Sequence, residues 1–292
     1  MNNIQKQLIN LKIIKPKAIT LLFPRVRDNK NIQVMQCEDS GVIFLKNSKH
    51  ISKEYYSSKQ DYEYWGSIKE QALIKQTNDD TRRLKDFRNE IMGKIWMEVG
   101  GGMGGLVELA KNIYKEVIFV EPQPGPRKYF KNKGKQTFES INNVNRKDVE
   151  LAKLFHSFEH FNDPLNTLIE IRKRIKKGGK IIIEVPHAKD ILISYFNLES
   201  FKSFTFWSEH LILHTRGSLS RFLTAAGFNN IEVYGLQRYP LANHLYWLKE
   251  GKPGGQNIFT DINNKDFNNQ YEKLLKELDM TDTLIAIAKV LD

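Results

Sequence analysis

The sequence predicts an α/β fold built on a mostly parallel sheet, preceded by a small β-rich N-terminal region. Three observations predict it. From Lys94 onward, short apolar runs alternate with helical patterns, as a parallel sheet with crossover connections requires. The first of those runs, Ile95-Trp96-Met97-Glu98-Val99, enters the turn Gly100-Gly101-Gly102-Met103-Gly104-Gly105 and then a helical stretch, Leu106 to Tyr114. Residues 1–65 instead carry three strand-like runs split by polar turns: Ala18 to Phe23, Ile32 to Cys37 and Gly41 to Leu45.

Between the two regions, Ser67 to Met92 has helical spacing, with Ile68, Ala72 and Leu73 early and Leu84, Phe87 and Ile91 late. It predicts a connecting helix over 66–92 that leads into a catalytic domain at 93–292 and covers one rim of its site. The glycine turn marks a nucleotide-binding corner, because a residue without a Cβ lets the backbone approach a ligand closely. Two patterns fit it. G-x-G-x-x-G is met by Gly100, Gly102 and Gly105, with Glu121 about 20 residues on to bind a ribose. E-x-G-x-G-x-G is met by Glu98, Gly100, Gly102 and Gly104. Glu98 decides between them. A dinucleotide site wants an apolar residue there, packed beneath the helix, whereas an acid can charge-pair with an amino group. The cofactor that joins an amino-acid tail to an adenosine is S-adenosylmethionine.

On these residues the chain resembles the class I S-adenosylmethionine-dependent methyltransferases, and further blocks agree in order. Val117-Ile118-Phe119-Val120-Glu121-Pro122 reads as the second strand, ending in an acid. Asp148 to Pro164, containing His156-Ser157-Phe158-Glu159-His160, resembles the fourth strand and its loop, and Lys176 to Pro186 the turn and fifth strand. Helices are expected over Pro164 to Lys176 and over Ser218 to Ala226, the latter stopped by Gly227. The resemblance, from roughly Ile91 to Val290, implies a Rossmann-like sheet whose last two strands, Ile231 to Gly235 and Leu284 to Val290, form an antiparallel hairpin at one edge. It implies that Glu98, Gly100, Gly102 and Gly104 hold the cofactor, that Glu121 binds the ribose hydroxyls, and that Phe155, His156 and Glu159 line the cleft. The N-terminal region resembles the zinc module of sugar methyltransferases with its cysteines gone. No metal is expected there. The module is expected to serve as a substrate-facing lid carrying Tyr55, Tyr56, Tyr62, Tyr64 and Trp65.

Composition narrows the classes. No apolar run approaches a membrane span, and residues 1–15 lack a signal-peptide core. Cys37 is the sole cysteine, which excludes a disulfide and a cysteine zinc site; a cytoplasmic protein is expected. The net charge of +11 invites a nucleic-acid partner. Its two main clusters, Arg127 to Lys135 and Arg172 to Lys180, fall where helices run between strands, without any RNA-binding signature. An RNA methyltransferase therefore stands only as an alternative, beside a noncatalytic scaffold; an anionic sugar-type small molecule is the expected partner.

Methyl transfer from a sulfonium requires a positioned acceptor and, for a hydroxyl or acidic carbon, removal of its proton. Candidate groups lie after the strands, where open α/β sheets bind ligands. His156, Glu159 and His160 follow the fourth strand, His187 follows the fifth, and Glu209, His210 and His214 precede the Ser218 helix. By resemblance to sugar C- and O-methyltransferases, His210 with Glu209 is the candidate base, alongside His156 and His160. His187 and His214 are expected to face substrate, as are Arg238, Tyr239, Asn243 and His244 of an insert at 236–258, for which a homodimer contact is the alternative role. His156-Ser157-Phe158-Glu159-His160 also fits H-x-x-E-H. That metal motif works on a helix, and here a strand precedes it, so no metal ligands are expected.

Overall fold

Segments whose apolar residues alternate or run continuously become strands, and those with helical spacing pack across them. The computed structural model describes residues 2–52, 55–56 and 78–291. Tyr62, Tyr64 and Trp65, and residues 66–77 of the expected connecting helix, lie outside the described residues.

Helix α1 (Asn3–Asn10) leads into the antiparallel strands β1 (Ile19–Phe23), β2 (Val34–Cys37) and β3 (Ile43–Leu45). Helix α2 (Asn78–Ile91) then enters the second region. Its first half holds β4 (Ile95–Val99), α3 (Gly105–Leu109), β5 (Glu116–Val120), α4 (Pro124–Asn132), β6 (Gln136–Phe138), β7 (Val149–Phe155) and α5 (Pro164–Arg172). Its second half holds β8 (Ile175–Pro186), α6 (Ile191–Ser194), α7 (Glu199–Thr205), β9 (Ile212–Leu213), α8 (Arg216–Ala225), β10 (Asn229–Leu236), α9 (Leu241–Glu250), α10 (Lys265–Glu277) and β11 (Thr283–Lys289).

The large sheet has the order β10-β11-β8-β7-β4-β5-β6. β4 runs parallel to β5 on one side and to β7 on the other, while β11 is antiparallel to both β8 and β10. Strand order therefore reverses at β4, and the crevice beyond its carboxyl end is where such sheets take ligands. β8 buries Ile181, Ile182, Ile183 and Val185 together, the continuous apolar run of a strand covered on both faces. Each such side chain contributes roughly 1.5–3 kcal/mol.

Three boundaries differ from expectation. α3 stops at Leu109 instead of Tyr114, because the Lys115 and Glu116 amides both donate to the Lys94 carbonyl and turn the chain into β5. α5 stops at Arg172 because Ile175 already pairs with Val149. The insert is longer than 236–258: residues 237–282 separate β10 from β11 and carry both α9 and α10.

The N-terminal sheet is also less separate than residues 1–65 suggest. Its order is β1-β2-β3-β9, and β9 comes from the catalytic region. Phe44 pairs with Ile212, and the Leu45 amide donates to the Leu211 carbonyl at 3.1 Å. Ile4, Leu8 and Phe44 share one core with Ile183 and Leu213.

Candidate functional site

The turn after β4 has the shape that its glycines allow. Gly100, Gly102 and Gly104 all take left-handed backbone angles, with φ of 70°, 52° and 70°. A Cβ on Gly104 would overlap the Phe130 ring, whereas a Cβ on Gly102 would meet nothing within 4 Å. One glycine is demanded by packing and the other faces open space. Gly104→Ala is accordingly expected to destabilise the fold by about 3 kcal/mol, from overpacking and left-handed strain together. Urea unfolding checks this, and an unchanged midpoint would contradict the turn geometry.

Glu121, buried at the end of β5, braces the turn. Its Oε2 accepts from the Gly102 amide at 2.8 Å and its Oε1 from the Gln123 amide at 3.0 Å. Burial pushes its carboxyl up to about 7 against those two hydrogen bonds. Glu98 is likewise buried, and its amino partner belongs to the chain itself: Lys153, its register neighbour on β7, places Nζ 3.9 Å from Oε2. Lys153 is fully buried and stands over the Trp96 ring at 3.8 Å and the Phe155 ring at 4.7 Å. Burial raises the Glu98 carboxyl to about 7 and lowers the Lys153 ammonium to about 7, each opposed by the other's charge. The sequence marks Lys153 only as one cation inside the apolar run Leu151 to Phe155.

Helix α2 covers this corner. Arg82 Nη2 donates to both oxygens of buried Glu184 on β8 at 2.9 Å, and Arg83 donates to Oε1 through Nη2 at 2.7 Å. Phe87 stacks on Phe155 with ring centroids 5.6 Å apart, and Arg83 lies over the same ring at 4.8 Å. Arg238 joins from the insert, donating from Nη1 to Asp79 Oδ2 at 3.0 Å and to His156 Nε2 at 2.8 Å. Tyr239, partly exposed, lies against the Arg238 guanidinium at 5.2 Å.

The second half of the site follows β7. A Cβ on Gly100 would come within 2.6 Å of Ser157 Cβ, so the glycine turn and the His156–His160 segment abut. His156 itself is left-handed, with φ of 49°, and its Nδ1 stands 3.4 Å from Glu159 Oε1. Phe158–His160 forms a single 3-10 turn, which swings Glu159 inward. The Leu211 amide donates to the Glu159 carbonyl at 2.9 Å, and this tie brings His210 to His160, with ring centroids 5.2 Å apart. Burial raises the Glu159 carboxyl, but the surrounding imidazoles, His156 foremost, outweigh it and hold it at about 2. Burial, then neighbouring His160, lowers His210 to about 3. Tyr55 donates to Glu209 Oε1 at 2.7 Å, and the Tyr56 hydroxyl lies 3.3 Å from His160 Nδ1.

The structure therefore gathers His156, Glu159, His160, Glu209 and His210. It does not bring four other expected residues to them. His187 is enclosed, its Nδ1 donating to the Thr281 carbonyl at 2.9 Å, and His214 is enclosed against Phe158 in a stack with 5.1 Å between centroids. His244 lies 2.7 Å from the Tyr271 hydroxyl, and Asn243 Oδ1 accepts from the Gly254 amide at 2.9 Å, both within the insert's own packing. The structure buries all four where they were expected to face substrate, and the Nε2 atoms of His187 and His214 have no hydrogen-bond partner among the described residues. Glu159, His160 and His210 have ligand atoms all within 4.8 Å of one another, a convergence hidden in sequence by the gap between His160 and His210.

A nucleoside fits the first half of the site on two observations. Gly102 opens onto free space, and buried Glu121 holds a carboxylate beside it at the reversal of strand order.

Among solved structures, a SAM-dependent methyltransferase from Archaeoglobus fulgidus shares the fold at 20% identity and a TM-score of 0.50, over 71% of this chain and 91% of that one. One from Thermotoga maritima is similar at 18% identity and a TM-score of 0.48, over 74% and 90%. Phosphoethanolamine N-methyltransferase 2 of Haemonchus contortus, solved with S-adenosyl-L-methionine, is similar at 15% and 0.44, over 74% and 53%. No curated protein matches the chain in sequence. The methyltransferase domain family model matches residues 74–233, more than half of the 292 residues. The chain belongs to the methyltransferase domain family and shares the fold of S-adenosylmethionine-dependent methyltransferases.

Proposed function

We propose that this methyltransferase acts on a sugar, nucleotide-sugar or sugar-derived small molecule, with an oxygen acceptor favoured over carbon. The cofactor is S-adenosylmethionine, which when bound supplies an electrophilic methyl group on a sulfonium. Gly102 admits it by its open backbone in a turn that Gly100 and Gly104 shape, Glu121 takes the ribose hydroxyls, and Glu98, paired with Lys153, closes the floor. The observation that carries the reading is the gathering of His156, Glu159, His160, Glu209 and His210 beside that turn. An acceptor lone pair approaching the methyl carbon must lose a proton as the bond forms, and this cluster holds groups that take one. Burial keeps His210 largely unprotonated near neutral pH, which leaves a ring nitrogen free to receive a hydrogen bond from an acceptor hydroxyl while weakening it as a base.

The sugar assignment is supported by the aromatic edge around the cluster. Tyr55 and Tyr56 stand edge to face with centroids 5.0 Å apart, and Trp207 meets His210 at 5.4 Å. Such rings offer flat apolar faces with polar tips. Arg27 over Trp207, at 4.6 Å, adds a cation suited to an anionic substituent. Among the described residues, no helix is long and apolar enough to cross a membrane.

A thermal shift with S-adenosylhomocysteine, run beside NAD, tests the cofactor half of the reading. Ligand at about 100 times its Kd adds roughly 2.7 kcal/mol, a rise of a few degrees. The shift is expected for the native chain and is expected to vanish in Glu121→Ala; a shift with NAD alone would refute the assignment. Transfer of labelled methyl to a panel of nucleotide sugars tests the acceptor. Labelling of RNA, with none of the sugars labelled, would replace the sugar reading.

A further inference from the structure

We propose that Glu159, His160 and His210 form a binding site for one divalent first-row transition-metal ion. The inference rests on the proposed function only in placing the acceptor at this cluster. Binding of the ion itself is independent of it.

Three features carry the proposal. The ligand atoms of the three residues lie within 4.8 Å of one another, drawn from two segments that the Leu211–Glu159 backbone hydrogen bond locks together. Glu159 is fully buried; His156 Nδ1 approaches its Oε1 at 3.4 Å, and its Oε2 has no hydrogen-bond partner among the described residues. His210 Nδ1 is buried and also without a partner. Buried acceptors left facing one another are costly unless something positive stands between them.

The surroundings orient the ligands. The Tyr56 hydroxyl lies 3.3 Å from His160 Nδ1 on the side of that ring that Glu209 also faces, so a proton on Nδ1 has oxygen acceptors around it. The Nε2 lone pair then faces Glu159 Oε1, 3.8 Å away. Glu209 backs the same ring, its Oε2 at 3.9 Å from Nδ1. A ligating imidazole characteristically has its second nitrogen held in this way by a polar or acidic neighbour. Two imidazoles and one carboxylate suit manganese, iron, cobalt, nickel or zinc in preference to magnesium or calcium. Only Glu159 and His160 of H-x-x-E-H converge with His210: the Nε2 of His156 accepts from Arg238, and its Nδ1 stands 3.4 Å from Glu159 Oε1. His160 and His210 are half-buried, and three protein ligands leave coordination positions for oxygen atoms of an acceptor. A hydroxyl held there loses its proton more readily.

The competing partner of the Glu159 carboxylate is His156, whose Nδ1 lies 3.4 Å from Oε1. Titration of the metal-stripped full chain with Co2+, followed by visible absorption and by metal content after dialysis, separates the two. Expected is saturation at one ion per chain, with a spectrum distinct from aqueous cobalt. Glu159→Gln and His210→Gln should abolish it, and Tyr56→Phe should weaken it by roughly 10- to 100-fold. Absence of binding at millimolar Co2+ in the native chain would overturn the site in favour of the His156–Glu159 contact. So would unaltered binding in His210→Gln, a substitution on a half-buried turn that the fold should tolerate. The S-adenosylhomocysteine shift identifies folded variants, and its presence or absence in the native chain judges the cofactor reading separately.

Discussion

Glu184→Gln is expected to destabilise the fold by about 3 to 5 kcal/mol, the cost of breaking a buried charge network by removing one partner. Glu184 is fully buried and takes donors from Arg82 and Arg83, with His156 Nε2 a further 3.2 Å from Oε1. Burial opposes its charge, but the imidazole and the two guanidiniums hold the carboxyl well below its ordinary range. A neutral amide leaves two guanidiniums inside the protein with fewer partners. Asp79 at 3.3 Å and Asp86 at 3.4 Å retain some hold on Arg82, which keeps the loss from being larger. Because α2 covers the cofactor corner, affinity for S-adenosylhomocysteine should fall with stability. Urea unfolding and amide exchange along α2 measure both effects. A loss below about 1 kcal/mol, the scale of an exposed pair, would show that the network does not clamp the helix.

The second large effect depends on pH. His214→Phe is expected to be close to neutral at pH 7 and to stabilise the chain by about 2 kcal/mol near pH 5. Burial lowers the His214 imidazole from 6.5 to about 4. Between those values the unfolded chain binds more protons than the folded one. The stability is therefore complete above 6.5 and is lost as pH falls toward 4. Phenylalanine does not titrate, keeps the stack on Phe158, and removes an Nε2 that has no partner. The comparison must be between variant and native chain. Glu98 and Glu121, raised to about 7, and Asp190, raised to about 8, titrate in the opposite sense, and they cancel only in the difference. Chemical denaturation at several pH values provides the measurement. A stability difference that stays constant with pH would contradict the burial of a neutral His214.

The cofactor half of the site is legible in the sequence because it is local. One strand, one glycine turn and the acid ending the next strand carry it, and all lie within Ile95 to Glu121. The proposed acceptor half is assembled from distant segments, and there the sequence misleads. His156, His160, His187, His210 and His214 look alike as histidines near strand ends. The 3-10 turn at Phe158 and the Leu211–Glu159 hydrogen bond select three of them for the cluster, while His187 and His214 turn into the core. Lys153 was similarly hidden. Its pairing with Glu98 depends on the register between β4 and β7, and register is fixed by the whole sheet.

The sharing of β9 between the two sheets has a consequence for how such a protein can change. Residues 2–52 cannot be exchanged as a cassette, because the strand beginning two residues after His210 takes its pairing from β3. Substituting another N-terminal module would re-aim the proposed acceptor cluster, whereas the proposed cofactor corner, built on β4 and β5, would keep its shape. Divergence in substrate and divergence in the N-terminal sheet are therefore coupled, and a graft meant to alter specificity should carry residues 206–214 together with the small sheet.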